Sequence, residues 1–158
     1  MRLLNSVCKV IAEKFVGVPV HIRQVPSEFR RGCFYASRVT GSNSLVNYGV
    51  YKDSPMFQII YFGELDEARQ VDVEKLYAVE EDLKGLFLLR RAVPVITDEG
   101  EKQRYAKIEN YTSDLREDEG AIYVKITLAF TEENPNAPSH TLGDIASESE
   151  VTIEKRGD

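Results

Sequence analysis

The stretch MFQIIYFGELDEARQVDVEKLYAVEEDLKGLFLL, residues 56–89, decides the fold. Residues 56–62 are almost all apolar, β-branched or aromatic, which reads as a buried strand. Gly63 stops the run, and residues 64–70 are a polar connection. Val73, Leu76, Val79, Leu83, Leu86 and Phe87 then recur at spacings of three and four. That spacing puts them on one face of a helix. Glu74, Lys75, Glu80, Glu81 and Lys84 take the water side. Strand and helix together form a sheet-on-helix unit, and the other segments are read as additions to it.

Working outward, Leu3, Leu4, Val7, Cys8, Ile11, Ala12 and Phe15 give a first amphipathic helix, stopped by Gly17 and Pro19. Residues 18–24 form a short strand, 26–31 a basic loop and 32–39 a second strand. Residues 40–55 carry turn signals at 41–44 and 47–49, so they read as a long loop or a projecting hairpin. Beyond the second helix, residues 92–97 and 103–111 are strands joined by a hairpin turn at Asp98-Glu99-Gly100. Residues 112–120 read as a charged, exposed connection. The last strand, 121–131, alternates cleanly. Ile122, Val124, Ile126, Leu128 and Phe130 point one way, and Tyr123, Lys125 and Thr127 the other. The expected fold is α+β: a mixed, mainly antiparallel sheet with two amphipathic helices packed on one face. Phe57, Ile59, Leu76, Leu83, Val124, Ile126 and Leu128 are expected in its core. Residues 1–131 form the domain. Residues 132–158, with seven acids against Lys155 and Arg156, form an acidic C-terminal extension in which Val151-Thr152-Ile153 is strand-like.

Composition narrows the function. The chain has 158 residues, enough for one domain with a proper core. No apolar run approaches the ~20 residues of a membrane span, and the N-terminus lacks a signal-peptide pattern. A cytoplasmic product with no membrane partner is therefore expected. Cys8 and Cys33 are too few and too distant for a disulfide framework, and read as free core thiols. His21 and His140 have no Cys or His at ligand spacing. Phosphate-loop and nucleophile-elbow patterns are missing. The sequence does not argue for an enzyme, and neither cofactor nor metal is expected. The net charge of −6 argues against a general or sequence-specific nucleic-acid binder. That charge is unevenly spread. Residues 1–50 carry seven basic residues against two acids, a net of +5, and residues 51–158 carry thirteen against twenty-four, a net of −11.

The order of elements carries a resemblance. A helix leads to a short strand, to GCFYASRV (32–39), FQIIYFG (57–63), the helix VEKLYAVEEDLKGLFLL (73–89) and the strand GAIYVKITLAF (120–130). Over about residues 1–131 this resembles the phage tail terminator family of phages and prophages of Gram-positive bacteria. The anchor points are Cys33-Phe34 and Tyr61-Phe62. The resemblance implies a structural virion protein at the head-proximal end of the tail, assembled in the host cytoplasm. Copies would join in a hexameric ring that caps the tail tube, ends its polymerisation and joins it to the head connector, with DNA passing through the ring. It implies as partners the chain itself, the tail tube protein, the head–tail connector protein and, in a contractile tail, the sheath. It brings no catalytic residues.

The +5/−11 division suits head-to-tail packing of unlike patches, or equally a monomer whose two charge regions neutralise each other within the fold. The expected interface residues are Arg23, Arg30, Arg31 and Arg38, facing acids of the next copy. Leu45, Val46, Val50 and Tyr51 lack a core of their own and are expected to contact the tube or connector. Three alternatives stand beside this reading. The first is a neck adaptor or sheath-associated tail completion protein. The second is a host ligand-binding module with residues 40–55 as a lid. The third is an enzyme of unrecognised chemistry.

Overall fold

The computed structural model describes residues 1–137. Helix α1 spans Arg2–Lys14, strand β1 Val20–Ile22, β2 Cys33–Asn47 and β3 Val50–Phe62. Helix α2, Val73–Lys84, runs on as a π-helical turn, Gly85–Leu89, before β4 (Ala92–Val95), β5 (Arg104–Arg116) and β6 (Ala121–Glu133). The six strands form one sheet in the order β1-β2-β3-β6-β5-β4. The β1–β2 pair is parallel and the others are antiparallel, so the sheet is mixed and mainly antiparallel as expected.

Both helices lie on one face. Leu3, Leu4, Val7, Val10 and Ile11 of α1, with Leu76, Leu83, Leu86 and Phe87 of the second helical segment, share a core with Phe34, Phe57, Ile59, Val124, Ile126 and Leu128. Every residue expected in the core is buried. Burying side chains of this kind stabilises by ~1.5–3 kcal/mol each, so this face holds the protomer together. Asp72 caps α2 by accepting from the Lys75 amide (3.1 Å). Among the described residues, the opposite face carries a small cluster of Cys33, Tyr35, Phe62 and Ala121. The loop between β1 and β2 covers it, with Phe29 stacked on Phe62 at 4.1 Å between ring centroids.

Three sequence expectations change. First, residues 40–55 follow the projecting-hairpin reading and not the loop, with no turn at 41–44. They are the outer halves of β2 and β3, paired from Thr40–Met56 to Asn47–Val50. Gly41 is there because a Cβ would sit 3.1 Å from the Pro55 Cα, a demand of close strand approach rather than of a turn. The turn is at Tyr48-Gly49, where the Asn47 side chain accepts from the Gly49 amide (2.9 Å). Second, residues 112–116 are strand. Ser113 and Leu115 pair with Val124 and Ile122, and Leu115 packs on the core. The connection shrinks to residues 117–120, closed by Gly120 at φ +60°. Third, β6 includes Glu132 and Glu133, which pair with Tyr51 and Val50. The strand-like Val151-Thr152-Ile153 lies outside the described residues.

Candidate functional site

The helices stop short of the outer half of the β2–β3 hairpin, which projects as an arm. Residues 38–48 of β2 and the turn are exposed throughout. Leu45 and Val46 are 71% and 57% exposed, and Tyr48 is exposed at the tip. Val50 and Tyr51 are half-buried because β6 runs alongside β3 to the tip. Asn134 then pins the tip: its amide donates to Gly49 O (2.8 Å) and its side chain to Tyr48 O (3.1 Å). The chain therefore leaves the described region at the end of the arm.

The four arginines are not equivalent. Arg23 and Arg38 line one shallow cleft with Tyr35, Gln58 and Ile60, and Arg23 lies 6.0 Å from the Tyr35 ring. Arg38 is exposed and its guanidinium lies over Gly41. Arg30 is exposed, and its backbone carbonyl accepts from the Cys33 thiol (3.0 Å). Arg31 is turned inward. It donates to the carbonyls of Gly63 (3.3 Å) and Glu119 (2.9 Å) and lies over Phe29 and Phe62 at 5.7 and 5.9 Å. Its charge tethers the β1–β2 loop to the 117–120 turn of its own protomer.

Two features go beyond the sequence reading, in which residues 112–120 are a charged, exposed connection without further detail. One is the 117–119 turn, which presents three acids. Glu117 and Asp118 are exposed, and Glu117 accepts from the Tyr77 hydroxyl (2.8 Å). The Tyr123 hydroxyl (2.6 Å) and the Arg116 guanidinium (3.0 Å) hold the Glu119 carboxyl below the usual range. The other is a groove beside β5 lined by Leu88, Arg91, Ile108 and Tyr111. The Tyr111 hydroxyl itself is buried, without a hydrogen-bond partner of normal geometry among the described residues.

The described residues contain no cluster of three or more His, Cys, Asp or Glu able to hold a metal. His21 stacks against Tyr35 (5.2 Å) and serves packing, and His140 lies outside the described residues. Cys8 and Cys33 are buried and free. Burial pushes the Cys8 thiol up to about 11, so little nucleophilic thiolate forms near neutrality. No helix among the described residues is long and apolar enough to cross a membrane.

A family model described as phage tail terminator protein matches residues 2–138, and no curated protein matches the chain. The match extends past the 1–131 of the resemblance and takes in the whole of β6. The chain belongs to the phage tail terminator family, whose members are structural components of the virion tail.

Proposed function

We propose that this phage tail terminator protein forms a hexameric ring that caps the tail tube, ends its polymerisation and joins it to the head connector. The observation that carries the reading is the family match over residues 2–138. The arm supports it, because Leu45 and Val46 are exposed and join no core among the described residues. Their place together on one projecting arm, rather than exposure alone, is the reason for reading them as a contact surface. Leu45, Val46, Val50 and Tyr51 are the residues proposed to meet the tube or connector.

Arg23, Arg30 and Arg38 are proposed to face acids of the next copy. Arg31 sets the loop that carries Arg30. The acidic residues beyond β6 are proposed as an extension that docks on another subunit or tail protein. Proteolysis would then clip it from the isolated protein and spare it in the assembled particle. In a contractile tail the extension is proposed to touch the sheath.

Tube length decides the main reading. Lysates lacking this protein are expected to contain overlong tubes without heads by electron microscopy, and supplying it restores the length. Tubes of normal length that fail to join heads would assign it instead to the neck as an adaptor. Normal, head-joined tails without it would overturn both.

A further inference from the structure

The sheet ends in two long unpaired edges. β1 pairs with β2 only over Phe34–Ala36, so residues 37–47 of β2 have no strand on their outer side among the described residues. β4 pairs with β5 only from Arg104 to Lys107, which leaves residues 110–116 of β5 open in the same way. Proteins usually blunt such edges with charge or proline. Residues 39–47 contain neither.

The two edges sit at opposite ends of the sheet and at different heights. Asn43 pairs with Asp53, which pairs with Phe130, one step past the Ala129–Lys107 pair. Asn43 therefore stands level with Ala106. Ser113, the middle of the β5 edge, lies about six rungs farther along the strand, ~20 Å at ~3.3 Å per residue. The four strands β2, β3, β6 and β5 span ~19 Å at ~4.8 Å each. Joining the edges of successive copies thus slopes the strands by roughly 45°, close to the tilt at which sheets close into barrels. An offset of this size is what a closed ring of sheets needs.

We infer that the β2 edge of one copy pairs antiparallel with the β5 edge of the next, so that the ring is closed by a continuous sheet. This rests on the ring reading above and deepens it. Centring one edge on the other sets Leu45 opposite Tyr111, Asn43 opposite Ser113 and Gly41 opposite Leu115. Leu45 pairs with Tyr51 and Asn43 with Asp53, in the row that continues through Phe57 on the helix-bearing face. Tyr111 and Leu115 also pack on the helix-bearing core. Side chains therefore keep their face across the joint, as pleating requires. The same register lays Leu45 in the groove of Leu88 and Ile108 of the next copy, so that within the ring Leu45 serves the joint and Val46, Val50 and Tyr51 are left to the tube or connector. It also sets the exposed Arg38 beside the exposed Glu117 and Asp118.

The inference is tested in the full-length chain with paired cysteines, Asn43→Cys with Ser113→Cys, oxidised with diamide. The expected result is a ladder of disulfide-linked oligomers ending at the mass of the ring, reversed by dithiothreitol. Hydrogen exchange is the second measurement, on wild type: amides of 40–47 and 110–116 should exchange slowly in the ring and quickly in diluted protomer. A ring of normal mass with no cross-link and fast exchange at both edges overturns the edge pairing while the ring reading stands. Protomer at every concentration, alone and with tube protein, overturns the ring reading itself. Slow exchange of 40–47 already in the protomer means that the chain's own C-terminal residues cover the edge, and this also overturns the inference.

Discussion

The inner and outer halves of the β2–β3 hairpin are the same two strands under opposite conditions. Inside, Phe34, Ala36, Ile59 and Tyr61 are closed in under the helices, while the β1–β2 loop covers Tyr35 and Phe62 on the other face. Outside, from Thr40 to Asn47, the strand pairing continues but β2 is exposed throughout among the described residues. Backbone hydrogen bonds make both halves strand; only apolar burial makes one half a core. The difference separates what holds the protomer from what is free to hold another molecule.

Five variants probe that division, taken broadly from the largest effect on protomer stability to the smallest. Leu83 is fully buried between α2 and the sheet. Leu83→Ala is expected to cost ~2–5 kcal/mol in urea unfolding, by lost burial and the cavity left behind. A loss of a few tenths would mean that α2 is not part of the inner core.

Arg31 comes next. Arg31→Ala removes both donors to the Gly63 and Glu119 carbonyls and uncovers Phe29. Its half-exposed position discounts the full value of charged hydrogen bonds, so a loss of ~1–3 kcal/mol is expected. Arg30→Ala, one residue away and exposed, should stay within ~0.5 kcal/mol. Equal losses in the two variants would show that the contacts of Arg31 hold nothing.

Neither result was legible in the sequence, where the two arginines form one dyad. The partners of Arg31 are backbone carbonyls 32 and 88 residues away, and carbonyls leave no mark on residue type. The outer hairpin was obscured for a related reason. Gly41-Ser42-Asn43-Ser44 has the composition of a turn, and its strand geometry comes from pairing with β3 rather than from its own propensity. The distal half of β5 is alike: Ser113 and Asp114 read as surface, yet β6 beside them fixes their conformation. Where side chains are buried the sequence was readable, as in 56–62, the helical run 73–87 and the alternation of 121–131. The arm's apolar residues could be named from sequence, but whether they sat on a loop or a strand edge could not.

Charge reversal at Arg23, Arg30 and Arg38 together should leave protomer stability within about 0.5 kcal/mol per site, since exposed charges contribute little within a fold. Assembly should respond instead. Light scattering across a salt series is expected to show slower ring formation by the triple variant at low salt. The gap should narrow above ~0.15 M, where screening acts within about 8 Å. A variant that assembles like wild type at every salt concentration would remove these arginines from the interface.

The smallest effect on stability should accompany the largest on function. Leu45 and Val46 are mostly exposed in the protomer, so changing both to Ser removes little buried area. The expected change in unfolding free energy is within ~0.5 kcal/mol, and the hairpin pairing survives because it is made by backbone. In the assembled tail the same side chains are expected to be covered, and there the substitution uncovers a wetted gap. Capping should fail: lysates with the double variant should show overlong tubes beside folded, soluble protein. If the variant unfolds with a Leu83-like loss, the outer hairpin is core after all and the contrast between its halves disappears. If it folds and still caps tubes of normal length, the arm's exposed apolar residues are not what it offers to a partner.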